Sequence, residues 1–166
     1  MKTVLWDASA LVKRYAPETG SDIVGALSSA VPPSRMIATV LGYAETYSAL
    51  LRRYHRGAIR ESAFLGAKSL LRREVINDPE FTLLTLDDAS VLDGLRHVDN
   101  HHLNATDAGF LALYIRHAQA LRADGRECVL VAADRRLLRA AEAEGLAVLD
   151  PEVAAPGDVA TITAAR

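Results

Sequence analysis

Residues 3–13 read TVLWDASALVK, and the interpretation of the whole chain depends on this stretch. Residues 3–6 have the composition of a short buried strand, and residues 8–15 have helical spacing until Pro17 ends the pattern. Asp7 stands between the two. The stretch therefore predicts a strand that leads directly into a helix, with a carboxylate at the junction.

Strand and helix patterns continue to alternate along the chain. Further strands are predicted at residues 36–39, 81–85, 128–132 and 147–149, and helices at residues 21–29, 41–54, 60–75, 87–98, 106–123 and 135–144. Neighbouring parallel strands need long crossovers, so this alternation predicts an α/β three-layer sandwich with a central parallel sheet flanked by helices. We assign residues 1–151 to one domain and expect residues 152–166, which are weakly periodic, to form a disordered tail.

Composition restricts the classes of function. The chain has 166 residues, half of them hydrophobic, which suits one globular domain. A net charge of −2 lacks the basic footprint of a protein that holds nucleic acid by electrostatics alone, so any such contact must be local. The single cysteine, Cys128, and the absence of a long apolar run predict a cytoplasmic protein that does not enter a membrane.

Four acidic residues fall where an α/β fold collects its ligands. Asp7 and Asp134 follow predicted strands, and Glu45 and Asp107 lie near the starts of predicted helices. Carboxylates that converge in one pocket cannot all stay ionised without a cation. Oxygen ligands favour Mg²⁺, with Mn²⁺ as a substitute, and the sequence has no cysteine–histidine set with zinc spacing.

Each acid also has a purely structural interpretation. Asp7 and Asp134 are suited to cap the helices that follow them, and Asp107 to stabilise a helix N-terminus through the helix dipole. Glu45 is harder to explain as a solvated side chain, because apolar and aromatic residues surround it in the sequence. The functional prediction rests on the combination of the four.

Four segments in order carry a family resemblance. They are Asp7-Ala8-Ser9-Ala10-Leu11-Val12-Lys13, Tyr43-Ala44-Glu45, Ala105-Thr106-Asp107-Ala108 and Ala133-Asp134-Arg135-Arg136-Leu137-Leu138. Together they resemble the motifs of PIN-domain nucleases, especially the VapC-type toxins of bacterial toxin–antitoxin pairs, over residues 2–151. The fourth segment departs from the family pattern, because Ala132 and Ala133 stand where a hydroxyl residue often precedes the aspartate.

The resemblance implies a magnesium-dependent endoribonuclease in which Asp7, Glu45, Asp107 and Asp134 bind the metal and carry the catalysis. It also implies that Ser9 positions a metal-bound water or a phosphate, and that the protein is a homodimer with an antitoxin partner. Lys13 and Arg135 lie within the motif segments, and we expect them to bind the RNA substrate. His97, His101 and His102 precede the third motif and are expected on the surface, where contact with RNA stays open.

Two other functions remain as alternatives. A magnesium-dependent receiver-like or phosphoryl-transfer domain also places acids at strand ends, but it normally uses a lysine late in the fold, and this chain has none after Lys68. A non-catalytic binding module with the same fold would keep the acids for folding or for an antitoxin's arginine. Cleavage of RNA with magnesium distinguishes these alternatives from a nuclease.

Overall fold

The computed structural model of the chain describes residues 1–164. Its strands are β1 (Thr3–Trp6), β2 (Met36–Thr39), β3 (Thr82–Leu84), β4 (Cys128–Val131) and β5 (Val148–Leu149). Its helices are α1 (Ala8–Leu11), α2 (Ser21–Ala30), α3 (Val40–His55), α4 (Glu61–Leu71), α5 (Asp88–His101), α6 (Ala105–Ala123), α7 (Arg135–Ala143) and α8 (Pro156–Thr163). The fold class predicted from the sequence is confirmed.

The five strands form one parallel sheet in the order β3-β2-β1-β4-β5. From β1 the chain adds β2 and β3 on one side, and it returns to add β4 and β5 on the other. The order therefore reverses between β1 and β4, and in open parallel sheets such a reversal opens a crevice at the carboxyl ends of the strands. Asp7 follows β1 at this point.

Side chains alternate across the sheet and create a core on each face. Val4, Trp6 and Val131 pack on one face with buried residues of α1, α2, α3, α4 and α8. Leu5 and Leu130 pack on the other face with buried residues of α6 and α7. Two helical layers therefore enclose the sheet, and the strands are buried on both faces, as their apolar sequences require.

Helices α5 and α6 approach each other closely at a pair of glycines. A Cβ atom added at Gly94 would lie 2.8 Å from the backbone nitrogen of Gly109 and 2.9 Å from the carbonyl group of Ala108. Both neighbours are backbone atoms, which cannot rotate away. The position of α6, and with it that of Asp107, therefore depends on the absence of a side chain at Gly94.

Three segments differ from the sequence predictions. The segment Arg72–Ile76 widens into a π-helical turn after α4, and β3 is shorter than predicted. Residues 156–163, expected within a disordered tail, form helix α8, because Val159 and Ile162 are buried against the core that contains α2. Residues 165–166 of the expected tail lie outside the described residues. None of the described helices is both long and apolar enough to cross a membrane.

Replacing Gly94 by alanine should destabilise the protein, because the added methyl group meets fixed backbone atoms. We expect a loss of about 1–3 kcal/mol in the free energy of unfolding, measured by chemical denaturation. Gly66 is a matched control on the exposed face of α4, where an added Cβ has no neighbour within 4 Å. Gly66→Ala should gain up to about 1 kcal/mol from helix propensity. Equal effects of the two substitutions would contradict the close packing of α5 on α6.

Candidate active site

The four predicted acids line one open cavity at the carboxyl ends of β1 and β4. The cavity has a volume of about 470 Å³, and Asp7, Glu45, Asp107 and Asp134 all contribute to its wall. Ser9 and Arg52 line it as well. Side chains from four distant segments of the chain thus meet in one place, as the sequence predicted.

Asp7 lies at the bottom of the cavity and is only 8% exposed. Its backbone N–H donates to the carbonyl of Val131 at 3.0 Å, which continues the pairing of β1 with β4. Its Oδ2 accepts hydrogen bonds from the backbone N–H of Ser9 at 2.8 Å and from the Ser9 hydroxyl. Burial nevertheless raises the pKa of Asp7 above its ordinary value. Asp7 is therefore a capping residue and also a buried carboxylate that gains from a nearby cation.

Ser9 connects Asp7 to the end of β4. Its hydroxyl donates to Asp7 and accepts a hydrogen bond from the backbone N–H of Ala133 at 2.9 Å. Both contacts are to the protein itself. Ser9 thus fixes the orientation of Asp7 and holds the segment that carries Asp134, which is a positioning role beside the predicted contact with water or phosphate.

Asp134 and Asp107 are each held by the N-terminus of a helix. Asp134 caps α7, and its Oδ1 accepts from the N–H groups of Arg136 at 2.7 Å and Leu137 at 3.1 Å. Asn104 caps α6, accepting from the N–H of Asp107 at 2.9 Å and donating its amide to Asp107 Oδ2 at 2.6 Å. Asp134 therefore caps a helix and also lines the cavity. Asn104 fixes the orientation of the Asp107 carboxylate, which the sequence analysis had selected.

Glu45 projects from the second turn of α3. Thr39 begins this helix by accepting a hydrogen bond from Gly42 N–H at 2.8 Å, and it does so directly after β2. Glu45 is half-buried, and its pKa is raised by burial and then by the charges of Asp7 and Asp107. The short connection from β2 into α3 brings this glutamate to the same edge of the sheet as Asp7.

The charges of the cavity favour a bound cation. The pKa values of Asp7, Glu45 and Asp107 are all raised, in each case first by burial and then by the other acids around the cavity. Arg52 and Arg136 oppose this effect in part, Arg52 beside Glu45 and Arg136 beside Asp107. A divalent ion would lower the energy of the ionised carboxylates.

The spacing of the acids fits an ion that retains water. Within residues 1–164, the group of three potential ligand side chains whose atoms all lie within 4.8 Å is His97, His101 and Glu144, and the four acids are not among such groups. They surround the cavity at wider spacing. Mg²⁺ usually keeps several of its waters and takes only one or two carboxylates directly, so an all-oxygen wall of this width suits it.

The two basic residues chosen from the sequence as substrate contacts are not part of the cavity wall. Lys13 is 4% exposed, and its ammonium contacts Glu152 Oε1 at 2.7 Å and Glu18 Oε1 at 3.4 Å. The buried, ion-paired charge of Lys13 gives no support to the predicted contact with RNA. Arg135 is exposed, but it lines a different surface depression, with Leu138 and Arg139. Arg52 lines the cavity instead, about two helical turns beyond Glu45 on α3.

The histidines also differ from expectation. His97 is completely buried, and His101 is half-buried with its Nε2 2.8 Å from Glu144 Oε1. Only His102 is exposed, as expected of all three. The i, i+4 spacing of His97 and His101 on an amphipathic helix was a signal that both lie on one face. Glu144, more than forty residues away, gave no such signal.

Neutralising Glu45 should stabilise the metal-free protein in a pH-dependent way. The pKa of Glu45 is raised above its ordinary value of 4.5, so the ionised form costs stability above that raised pKa, and the cost disappears below pH 4.5. In chelator, Glu45→Gln should therefore melt at a higher temperature than the wild type at pH 8. The difference should shrink as the pH approaches 4.5. Glu142→Gln, on the exposed face of α7, is the control and should show no such gain. A pH-independent difference for Glu45→Gln would contradict the crowding of the acids.

Comparison with known proteins supports the fold. No family model matches the sequence, and no curated protein matches it. Among solved structures, the chain is similar to the crystal structure of PAE2754 from Pyrobaculum aerophilum, with a TM-score of 0.56 and 21% sequence identity. The similarity covers 89% of this chain and 90% of that chain. At this level of identity, the comparison shows that the two proteins share a fold.

Proposed function

We propose that the protein is a metal-dependent endoribonuclease that hydrolyses RNA phosphodiester bonds with Mg²⁺, or Mn²⁺ in its place. One observation carries the proposal: four carboxylates from four distant segments line one cavity, and three of them have raised pKa values. Burial and mutual repulsion make the ionised form of these carboxylates unfavourable unless a cation is bound beside them. The resemblance of the same four segments to PIN-domain nucleases adds to this argument.

The surroundings of each acid indicate its role in metal binding. Asp7, Glu45 and Asp107 would hold the metal, and Asp134, whose Oδ1 already accepts two backbone hydrogen bonds, would orient a water or complete the ligand shell. Held by these residues, Mg²⁺ would supply an activated water and would neutralise charge on the leaving oxygen. Ser9 and Asn104 keep Asp7 and Asp107 in fixed orientations, so little reorganisation is needed when substrate binds.

Arginine side chains beside the acids would position the RNA backbone. Arg52 lines the cavity, and Arg136 lies close enough to Asp107 for its charge to oppose in part the rise in the pKa of Asp107. A guanidinium binds phosphate through two parallel hydrogen bonds, and such contacts fix the register of the nucleic acid without reading its sequence. This local positive charge suits a chain whose net charge is −2.

The distribution of lysines argues against a receiver-like phosphoryl-transfer domain. Such a domain normally uses a lysine late in the fold, and this chain has only Lys2, Lys13 and Lys68. Lys13 is ion-paired with Glu152 and Glu18, and Lys68 lies over the ring of Tyr47 on α3. Lys2 lines cavities that do not include the four acids.

The biological setting follows from the resemblance to VapC-type toxins. We propose that the protein is the cytoplasmic toxin of a toxin–antitoxin pair and acts as a homodimer. Its antitoxin would insert a basic side chain into the acidic cavity, where the raised pKa values of three acids favour any cation. Occupation of the cavity by an arginine would exclude the metal and thereby suppress cleavage.

Amide substitutions of the acids should separate catalysis from folding. Asp7→Asn, Glu45→Gln and Asp107→Asn should each lower the rate of magnesium-dependent RNA cleavage by about a hundredfold or more, because each removes a metal-binding charge. Asp134→Asn should cost about tenfold if it acts through water. The measurement is cleavage of a labelled RNA in Mg²⁺, in Mn²⁺ and in excess chelator, which should abolish it. Glu142→Gln serves as the control. Wild-type rates in any of the first three variants, or cleavage in chelator, would overturn the proposal.

Arg52 should affect binding of RNA more than the chemical step. Arg52→Gln should raise KM for RNA several-fold and weaken its dependence on salt, since one phosphate contact is lost. Arg135→Gln is the matched control, because Arg135 lies on a different part of the surface. Steady-state kinetics at two salt concentrations measures both effects. A larger effect of Arg135→Gln than of Arg52→Gln would contradict the placement of the RNA beside α3.

A further inference from the structure

A second cluster of metal-ligating side chains lies between α5 and α7, apart from the acidic cavity. His97 and His101 are one helical turn apart on α5, and Glu144 follows the end of α7. One ligand atom from each of the three lies within 4.8 Å of the others. Glu144 Oε1 is 2.8 Å from His101 Nε2 and 3.3 Å from His97 Nδ1. The three side chains therefore face a common point.

His97 supplies an independent sign that a ligand belongs there. Its side chain is completely buried, and among the described residues its Nδ1 makes no well-formed hydrogen bond; the nearest charged group is Glu144 Oε1 at 3.3 Å. Buried polar atoms without partners cost free energy, and proteins rarely keep them. Because Nδ1 faces the other two ligands, a metal ion bound between them would satisfy it.

We propose that His97, His101 and Glu144 form a site for one zinc-class divalent cation that joins α5 to α7. Two imidazoles and one carboxylate are ligands that suit Zn²⁺, and a water would complete a tetrahedral shell. The acidic cavity offers only oxygen and prefers Mg²⁺ or Mn²⁺. The protein thus has two sites of different chemistry, and this proposal does not depend on the nuclease function.

The neighbouring side chain of Arg96 is compatible with the site. In the metal-free protein, Arg96 Nε donates to His97 Nε2 at 3.4 Å, so the ring proton lies on Nδ1. Metal binding at Nδ1 would shift that proton to Nε2, and the Arg96 side chain would have to turn away. Arg96 is exposed on α5 and is free to do so. The rearrangement involves one flexible side chain and no backbone.

The site would fix the layer that carries two of the four acids. Asp134 caps the start of α7 and Glu144 follows its end, so the nine residues of the helix span about 13 Å between the two sites. On the other side, α5 ends at His101, and the chain then passes through Asn104 into α6 and Asp107. A metal bound at His97, His101 and Glu144 therefore holds the far end of α7 and the start of the connection to Asp107.

The experiment is a Zn²⁺ titration of the full chain by calorimetry in excess Mg²⁺, which keeps the acidic cavity occupied. One equivalent of Zn²⁺ should bind to the wild type. His101→Asn and Glu144→Gln, at half-buried positions that tolerate substitution better than buried His97, should weaken binding by at least about tenfold. Co²⁺ in place of Zn²⁺ should give the visible absorption of a tetrahedral site, and both variants should lose it.

Two matched controls separate this site from the rest of the protein. His102→Asn removes an adjacent, exposed histidine at φ 55°, a conformation that asparagine tolerates, and should bind Zn²⁺ as the wild type does. Asp7→Asn changes the acidic cavity and should also leave Zn²⁺ binding unchanged. Zinc should raise the melting temperature of the wild type but not of Glu144→Gln. Absence of stoichiometric Zn²⁺ binding, or equal binding in the wild type and in folded His101→Asn and Glu144→Gln, would overturn the proposal.

Discussion

The structure depends on one constraint, which is the burial of the Asp7 carboxylate where the strand order reverses between β1 and β4. The backbone of Asp7 continues the pairing of these two strands, while its side chain begins α1 and anchors Ser9. The same burial that makes Asp7 a rigid junction raises the free energy of its ionised form. The geometry that the sheet needs at Asp7 is therefore also one that a bound cation would stabilise.

The other three acids are held at the cavity by different local structures. Asp107 and Asp134 lie at helix N-termini, where the helix dipole partly offsets their charge, and Asp134 also accepts hydrogen bonds from two backbone N–H groups. Glu45 has no such support and relies on Arg52. Below them, the buried hydroxyl of Tyr114 donates to the carbonyl of Trp6 at 2.8 Å and ties α6 to the end of β1. The acids are thus carried on elements whose positions are fixed by the core.

Much of this arrangement could be predicted from the sequence, because it follows from local patterns. Apolar runs predicted the strands, helical spacing predicted most helices, and the rule that parallel strands end at one edge placed Asp7 near Asp134. What could not be predicted depends on contacts between distant residues. Lys13 can be buried because its charge is paired with Glu18 and Glu152. Helix α8 forms because its apolar residues pack against the core that contains α2. His97 is buried beside Glu144, which follows α7. Local sequence patterns could not predict these three features, because the contacting residues are far apart in the sequence.

The central claim is that the four acids together bind a divalent metal at the carboxyl edge of the sheet. The most direct measurement is a titration with Mn²⁺ followed by electron paramagnetic resonance, which counts free ions in solution and needs no substrate. The account predicts saturable binding that Mg²⁺ displaces and that Asp7→Asn and Asp107→Asn each weaken strongly, while both variants remain folded. Binding of Mn²⁺ that is unaffected by these two substitutions, or no saturable binding to the wild type, would contradict it.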